Sequence, residues 1–342
     1  MQNQHTNLNP CIKTKKMLKF SILGLGHIGR IHKNAIEITE GAELISIIDT
    51  QDIEPENGVK TYHTLEKFLL EDRETDIVVI ATPNGLHRDH AVRCLKAGKH
   101  VLIEKPIALT TSQATEILDT AKKVGKRVFS SMQLRFSPPV KYVKKLIENN
   151  GLGEIYMVNI QCYWNRNKNY YKTREWHGTN EMDGGVLFTQ FSHFIDIVNF
   201  WFEDVRCTGS SFFNFNHQDV TEFPDSGKLD FTADGAQGNM IFTTSVFEKN
   251  YESNITIIAE KGTIKIGDQY LNELKYSNLK NIVCSQQNLS TETKNFHPKA
   301  YEEITGAMKE NRASLLDGKY AIGLVEFIEK AYELSEKDLS VK

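Results

Sequence analysis

Short apolar strands alternate with helical segments through the first part of the chain, and this alternation limits the possible fold more than any other feature. The apolar runs lie at 18–23, 42–48, 75–82, 99–105 and 126–132. Helical patterns lie between them at 64–71, 86–97 and 111–124, and another follows the first strand. Strands that are apolar on both faces belong in a parallel sheet covered by helices on both sides. The pattern therefore predicts an α/β fold with a doubly wound parallel sheet of the Rossmann type.

A glycine turn, GLGHIG at 24–29, joins the first strand to the first helix. Its first glycine permits the tight turn, its second lets the backbone approach a pyrophosphate, and its third allows close packing of helix and strand. Asp49 lies at the end of the second strand, where a carboxylate binds adenosine ribose hydroxyls and repels a 2′-phosphate. The carboxylate therefore favours NAD over NADP. The alternative interpretation of the glycine motif is that its glycines serve only a tight loop. The predicted cofactor contacts here are Gly24, Gly26, His27, Ile28 and Asp49.

Polar segments also follow the third and fourth strands, as ATPNGLH at 81–87 and EKP at 104–106. The loops at the carboxyl ends of parallel strands form the ligand crevice, so both segments are expected to face the cofactor. Side chains alternate along a strand, which assigns one residue of the Glu104-Lys105 pair to the substrate side. The alternatives are an ordinary turn at 81–87 and a lysine that extends to solvent from a strand end. The predicted cofactor contacts are Thr82, Pro83, Asn84, His87, Glu104 and Lys105.

The second half of the chain has a different pattern. A long alternating strand begins near Gly151, and two hairpins are predicted around Asp234-Gly235 and Lys261-Gly262. Helices are predicted over 185–201, 300–311 and 318–335. These signals predict a second α/β domain with an open, mostly antiparallel sheet. We expect a disordered extension at 1–16, a Rossmann domain at 17–136 and a substrate-binding and oligomerisation domain at 137–342, whose last helix packs back on the first domain.

Composition excludes several classes of function. The net charge of -3 does not favour a nucleic-acid or anionic-membrane partner. The five cysteines are scattered without CxxC spacing, which predicts no metal site and favours a reducing, cytoplasmic location. No apolar run approaches the roughly 20 residues needed to span a bilayer. The first 16 residues have no apolar core of a secretory signal.

A histidine in the second half is the other candidate for chemistry. In the segment MDGGVLFTQFSHFID, His193 and Asp196 are three residues apart and are expected on one helix face. Gly184 and Gly185 precede them, where the backbone is expected to approach a neighbouring group closely. The alternative for His193 is a core or capping histidine with satisfied hydrogen bonds.

Taken together, these segments and QLRFSP at 133–138 resemble the glucose-fructose oxidoreductase and inositol dehydrogenase (Gfo/Idh/MocA) family over residues 17–335. The resemblance implies NAD(P)-dependent oxidation or reduction of a sugar or polyol hydroxyl by a homodimer or homotetramer. It makes Lys105 and His193 the catalytic pair and adds Gln133 to the cofactor contacts. A histidine suits the removal of a hydroxyl proton, and an ammonium group stabilises a developing alkoxide.

The chain departs from this family at one position. Members often carry an aspartate four residues before the histidine, whereas this chain has Thr189 followed by Gln190. Neither residue can act as a base, so both are expected to hydrogen-bond to the substrate. Asp183, at the place of a usual glycine, is interpreted as a turn residue, and the alternative is a substrate contact.

The loop at 164–179, WNRNKNYYKTREWHGT, concentrates aromatic and cationic residues. In position it resembles the loop of nucleotide-sugar 3-dehydrogenases that act on UDP-N-acetylglucosaminuronate. Arginines can hold a diphosphate or carboxylate through paired contacts, and aromatic rings can stack on a sugar or base. The alternative for the loop is a lid or a dimer contact. Inositol, dihydrodiol and aldose substrates also remain open. Alternative functions for the whole protein are an NAD-assisted glycosidase and a non-catalytic NAD-binding regulator. The predicted substrate contacts are Lys105, Arg135, Arg166, Tyr171, Trp176, Thr189, Gln190 and His193, with Arg174 as a further candidate.

Overall fold

A computed structural model describes residues 17–54, 58–280 and 289–340 of the chain. The extension predicted at 1–16 lies outside the described residues. The first half forms a six-stranded sheet in the order β3-β2-β1-β4-β5-β6, in which every pair is parallel. The strands are β1 (Leu18–Leu23), β2 (Ala42–Ile48), β3 (Lys60–Tyr62), β4 (Ile77–Ile80), β5 (His100–Ile103) and β6 (Val128–Ser130). The predicted doubly wound parallel sheet is confirmed, although the short polar strand β3 gave no apolar signal.

Four helices cover this sheet: α1 (His27–Ile38), α2 (Leu65–Glu71), α3 (His87–Lys96) and α4 (Thr111–Val124). The hydroxyls of Thr64 and Thr110 accept hydrogen bonds from N–H groups in the first turns of α2 and α4, which fixes where these helices begin. All four residues of β4 are fully buried, as expected for a central strand packed on both faces. Strand β1 lies between β2 and β4, and the order of the strands reverses at this point. A crevice therefore opens at the carboxyl ends of β1 and β4.

The second sheet has seven strands in the order β13-β12-β11-β7-β10-β9-β8. They are β7 (Ile155–Tyr163), β8 (Val205–Phe213), β9 (Ser226–Ala233), β10 (Ala236–Thr243), β11 (Glu252–Ala259), β12 (Gly262–Gly267) and β13 (Glu273–Leu279). Among the described strands of this sheet, the β7–β10 pair alone is parallel. This confirms the mostly antiparallel sheet.

The first predicted hairpin turns at Asp234-Gly235, both in the left-handed region that such turns require. The second turn lies one residue earlier than predicted, at Glu260-Lys261. Gly262 pairs with Ala259 as the first residue of β12. Gly262 therefore does not mark the turn. It lies where Asn278 and Leu279 approach its backbone closely, and a glycine fits there.

The remaining helices are α5 (Pro138–Glu148), α6 (Lys168–Lys172), α7 (Val186–Thr189), α8 (Ser192–Trp201), α9 (His297–Glu310) and α10 (Ile322–Ser340). The prediction of one continuous helix over 185–201 is wrong, because the chain breaks between α7 and α8. The N–H of Phe191 bonds to the carbonyl of Val186, five residues back, at 3.0 Å. This wider turn directs the Phe191 ring into the core against Trp164, with ring centroids 5.2 Å apart.

The last two helices return to the first sheet. Helix α9 packs against α1, and α10 packs against both α4 and the edge strand β8 of the second sheet. The Tyr301 hydroxyl of α9 lies 2.8 Å from Nδ1 of His32 on α1, and both side chains are buried. Among the described helices, none has the length and apolar character needed to cross a bilayer.

Candidate active site

The glycine turn lies at the mouth of the crevice and is tightly constrained. Gly24 has φ of +95°, and a Cβ atom there would lie 2.8 Å from the Ala81 carbonyl oxygen. A Cβ on Gly29 would overlap the carbonyl of Gly24, so only glycine allows α1 to approach the turn. Asp49 follows β2 directly, and its carboxylate accepts hydrogen bonds from the N–H groups of Leu25 at 2.6 Å and Gln51 at 2.9 Å. The carboxylate is thus held against the glycine turn.

Two adjoining concavities occupy the crevice. The outer groove, of about 840 Å³, runs from the glycine turn and Asp49 to His90 and Arg93. The inner cavity, of about 420 Å³, lies between the glycine turn, Lys105 and the loop that follows β7. They share Gly26, Ala81, Thr82, Pro83, Thr173, Arg174 and Trp176. Of the other residues predicted to contact ligands, His27, Ile28, Asn84, Glu104, Lys105 and Thr189 line the inner cavity.

Lys105 lies two residues beyond β5 and is only partly exposed. Its ammonium group donates a hydrogen bond to the backbone carbonyl of Thr189 at 2.5 Å. Burial lowers the pKa of Lys105, while the charges of Glu104 and Asp183 act in the opposite direction. This contact joins the end of the first sheet to helix α7 of the second half.

His193 lies on α8 behind the inner cavity. Its Nε2 atom is 3.4 Å from the Gln133 amide nitrogen, and its Nδ1 atom is buried without a hydrogen-bond partner. Burial, assisted by the charge of Lys105, lowers the pKa of His193 to about 3. The ring is therefore neutral near pH 7, and its Nδ1 atom has no hydrogen-bond partner among the described residues.

Thr189 and Asn84 form the polar wall opposite Lys105. The Asn84 amide donates to the Asp183 carbonyl at 2.8 Å and to the Thr189 hydroxyl at 3.1 Å. The Asp183 carboxylate accepts hydrogen bonds from the Thr189 hydroxyl and from the Gly178 N–H. Asp183 is fully buried, and burial raises the pKa of its carboxyl group. Asp183 therefore positions Thr189 as well as forming the turn, so its interpretation as a turn residue describes only part of its contacts.

Glu104 is held from below by a buried group of side chains. Its carboxylate accepts from Nε2 of His32 at 2.8 Å and from the Lys105 N–H at 3.1 Å. His297 approaches the same carboxylate at 3.7 Å. His32, Glu104 and His297 together carry the donor types that a metal ion uses, with their ligand atoms within 4.8 Å of one another. The hydrogen bonds among His32, Glu104 and Tyr301 account for most of this geometry without an ion.

Arg135 does not serve the predicted substrate role, and that prediction is wrong. Its side chain is 3% exposed and forms a two-pronged pair with Asp196, at 2.9 Å and 2.5 Å. Further hydrogen bonds reach the carbonyls of Leu315 and Tyr320. Asp196 therefore pairs with Arg135 rather than with the predicted helix neighbour His193.

Replacing Asp196 with alanine is expected to destabilise the protein by about 3–5 kcal/mol, because it leaves a buried guanidinium without its counter-charge. Urea unfolding followed by circular dichroism measures this effect. A double Arg135→Met, Asp196→Leu variant should recover most of the loss. The Asp204→Ala variant, which removes an exposed partner of Arg206, is the control and should change stability little. Equal stability of the Asp196→Ala variant and the parent would contradict this assignment.

Two further predicted contacts are also wrong. The His87 side chain is fully buried, and its ring nitrogens bond to the carbonyls of Pro106 at 2.7 Å and Thr82 at 2.9 Å. It ties the two strand-end loops together instead of facing a ligand. Tyr171 is 3% exposed because α6 turns its ring inward against His217, 5.1 Å away, and its neighbour Tyr170 lines the inner cavity in its place.

Three side chains hold Tyr170 in the wall of the inner cavity: Arg166, His177 and Gln190. The Arg166 guanidinium lies over the rings of Trp164 at 4.8 Å and Tyr170 at 5.3 Å. The Gln190 amide donates to the Tyr170 hydroxyl at 3.1 Å, and the His177 ring stacks on the other side of Tyr170 at 4.8 Å. Thus Tyr170 is fixed by three residues. Sequence reasoning missed it because two adjacent tyrosines carry the same signal.

Comparison with known proteins identifies the chain. Residues 18–132 match the family described as "Oxidoreductase family, NAD-binding Rossmann fold", and residues 140–265 match the "GFO/IDH/MocA C-terminal domain". The chain belongs to the Gfo/Idh/MocA family. Both matches confirm the relationship predicted from the sequence motifs.

Three relatives illustrate the range of this family. The WlbA dehydrogenase of Bordetella pertussis, solved with NADH and UDP-GlcNAcA, has a TM-score of 0.89 and 27% identity, covering 94% of this chain and 96% of that one. A 2,7-anhydro-N-acetylneuraminate hydratase of Escherichia coli is 27% identical over 331 residues, 90% of this chain and 80% of that protein. A glucose-6-phosphate 3-dehydrogenase of Bacillus subtilis is 32% identical over 200 residues, 57% of this chain. The chain spans 56% of the length of this last relative.

The crevice of this Gfo/Idh/MocA protein fits NAD. A Cβ on Gly26 would project into the space that the outer groove and inner cavity share, so glycine keeps the turn open to a ligand there. The N-terminus of α1 follows immediately at His27, where backbone N–H groups favour an anionic group. The carboxylate of Asp49 lies at the far side of the same groove. Gly26, the start of α1 and Asp49 would therefore hold the diphosphate and adenosine ribose.

Proposed function

We propose that this protein is an NAD-dependent dehydrogenase that oxidises a ring hydroxyl of a nucleotide sugar, with UDP-N-acetylglucosaminuronate as the leading candidate. The observation that carries the proposal is the wall of the inner cavity. The loop at 164–179 contributes Tyr170, Arg174, Trp176 and His177 to a space whose floor contains Lys105. Aromatic rings above a partly exposed ammonium suit a substrate that combines a nucleobase with a sugar. The similarity to a dehydrogenase solved with UDP-GlcNAcA supports this substrate class.

The roles of the protein's own groups follow from their surroundings. NAD, when bound, supplies the hydride acceptor. The neutral His193 ring has a nitrogen without a hydrogen-bond partner in the described part of the chain, and the ring accepts the proton of the substrate hydroxyl. The ammonium group of Lys105 stabilises negative charge as it develops on the same oxygen. Its bond to the Thr189 carbonyl sets its direction, and Asp183 and Asn84 in turn hold Thr189.

A second candidate is a reaction without net oxidation, such as hydration or elimination at the sugar. The coverage of 90% of this chain by the match to a hydratase favours it. Such a reaction would use the cofactor within each turnover and return it unchanged, so no NADH would accumulate. Net production of NADH therefore separates the two functions.

The deciding experiment is a single-turnover assay with equal amounts of protein and NAD. UDP-N-acetylglucosaminuronate, myo-inositol, free aldoses and glucose 6-phosphate are added separately, and reduced nicotinamide is followed by absorbance. A burst with UDP-N-acetylglucosaminuronate alone supports the proposal. A burst with another sugar keeps the dehydrogenase and changes its substrate. Product formation without net NADH would favour the second candidate, and silence with every substrate despite NAD binding would favour a regulator.

The pH dependence of kcat/KM is expected to lack an acid limb near pH 6.5, because the lowered pKa keeps His193 unprotonated there. As pH rises, Lys105 loses its charge and its ability to stabilise an alkoxide, and this limb should lie below the ordinary lysine value of 10.5. A pH profile from about 5 to 10.5 tests for the absence of an acid limb in this range and locates the alkaline limb. The Lys105→Arg variant should lose the alkaline limb, since guanidinium stays charged throughout. A half-effect at pH 6.5 would contradict the state assigned to His193.

We also propose a cytoplasmic homodimer or homotetramer. Apolar side chains on the open face of the second sheet support self-association: Met157, Ile241, Ile258 and Tyr276 are each more than 40% exposed. Met157 and Ile258 are cross-strand neighbours, so the exposed surface is continuous there. The reduced, buried Cys94, Cys162 and Cys207 suit a reducing compartment.

A further inference from the structure

Arg174 lies directly over the glycine turn, although it belongs to the other half of the chain. It follows α6 by two residues and lines both the outer groove and the inner cavity. A Cβ atom built on Gly26 would lie 3.2 Å from its Nη1 atom and 3.8 Å from its Nη2 atom. The guanidinium therefore lies close to the turn. The diphosphate of a cofactor bound at the start of α1 would lie beside it.

The charge of Arg174 is uncompensated. Its side chain is exposed, and it makes no hydrogen bond or ion pair with the residues that the structure describes. Arg93, which also lines the outer groove, shows the contrast, because Glu66 and Asp89 hold its guanidinium. The two acids that line the outer groove have other partners: Asp49 accepts from the N–H groups of Leu25 and Gln51, and Glu66 pairs with Arg93. Among the described residues, the guanidinium near the start of α1 has no anion of its own.

We propose that Arg174 clamps the diphosphate of bound NAD from the side opposite the glycine turn; this inference rests on the proposed function. Guanidinium presents paired N–H groups that match two phosphate oxygens. The N–H groups at the start of α1 hold the diphosphate from below, and Arg174 covers it from above. The position against Gly26 favours the cofactor's diphosphate over that of a nucleotide-sugar substrate.

The clamp also connects cofactor binding to the substrate cavity. Thr173, beside Arg174, donates from its hydroxyl to the Tyr170 carbonyl at 2.7 Å, and the same carbonyl lies 3.0 Å from Nδ1 of His177. Trp176 follows two residues later, and its ring lies against His177 with centroids 4.2 Å apart. Holding Arg174 therefore holds the segment that forms the aromatic wall of the inner cavity. NAD bound to Arg174 would therefore stabilise this wall.

The test measures cofactor affinity and release without catalysis. NADH fluorescence gives its Kd and dissociation rate for the parent, Arg174→Ala, Arg174→Lys and Lys172→Ala proteins. Competition by ADP-ribose and adenosine separates ligands with and without a diphosphate. Lys172 is the matched control, because it is an exposed cation on the same segment that lines neither the outer groove nor the inner cavity.

We expect Arg174→Ala to weaken the binding of NADH and of ADP-ribose about tenfold or more, as for the loss of a charge-assisted hydrogen bond. NADH release should become correspondingly faster. Adenosine binding and the unfolding temperature should not change, Arg174→Lys should be intermediate, and Lys172→Ala should match the parent. Unchanged NADH affinity in Arg174→Ala overturns the clamp. So does a weakening of UDP binding, measured by calorimetry in the same variants, without any change for NADH, because it would assign Arg174 to the substrate's diphosphate. Absence of NADH binding in the parent itself would instead overturn the proposed function.

Discussion

Replacing Lys105 with methionine should slow single-turnover reduction of NAD by about a thousandfold, because a positioned donor is lost where negative charge develops on the substrate oxygen. Replacing His193 with glutamine should slow the same step by about 100- to 10,000-fold, because the proton acceptor is lost. The hydrogen bond from Lys105 to the Thr189 carbonyl and the open Nδ1 of His193 define these roles. Stopped-flow absorbance of reduced nicotinamide with saturating substrate measures both rates.

The control for His193 is His100→Gln. His100 is also partly buried with its pKa lowered to about 4, but it begins β5 at the end of the strand away from Lys105. This variant should retain the parent rate. All three variants should bind NADH within about threefold of the parent, since neither catalytic side chain is assigned to the diphosphate. Comparable rates in the parent and in Lys105→Met would remove Lys105 from the chemistry.

Replacing Asp49 with asparagine should reduce the preference for NAD over NADP by about 100-fold. A charge-assisted hydrogen bond to ribose is worth about 1.5–3 kcal/mol, and the repulsion of a 2′-phosphate disappears with the charge. The Asp49 carboxylate accepts a hydrogen bond from the Leu25 N–H at 2.6 Å. Asparagine keeps an oxygen that can accept the same bond, so the glycine turn is retained. Calorimetric Kd values for NAD and NADP give the ratio.

The Glu54→Gln variant controls for a general loss of negative charge near this groove. Glu54 is exposed and does not line the outer groove, so its replacement should leave the ratio unchanged. An unaltered preference in Asp49→Asn would mean that the carboxylate serves only the backbone of the glycine turn. In that case discrimination against NADP would come from elsewhere in the groove.

The sequence was informative wherever a side chain's position is fixed by strand order alone. Asp49, Thr82 and Lys105 each lie just beyond a parallel strand, and the carboxyl ends of such strands must meet at one edge. Their convergence therefore follows from the topology, and the topology can be predicted from the apolar periodicity and the glycine turn. The structure then groups all three around the outer groove and the inner cavity.

Side chains whose partners come from distant segments could not be assigned in this way. Arg135 is a cation near the crevice in sequence terms, yet Asp196 lies 61 residues away and withdraws it into the core. The choice between Tyr170 and Tyr171 depends on the rotation of α6, a helix of five residues with no periodic signal. The support of Glu104 by His32 and Tyr301 joins residues from three separate elements. Such contacts depend on tertiary packing, which local patterns do not encode.

The return of the last helices to the first sheet affects how hybrid proteins can be made from this family. A single crossover near residue 137 would take α9 from one parent and α1 from the other, and so would separate Tyr301 from the His32 with which it is matched. That mismatch would reach Glu104, which precedes the proposed catalytic residue Lys105, through one hydrogen bond from His32. Exchange of substrate specificity between relatives therefore requires two crossovers, with residues 297–310 inherited together with the nucleotide-binding half.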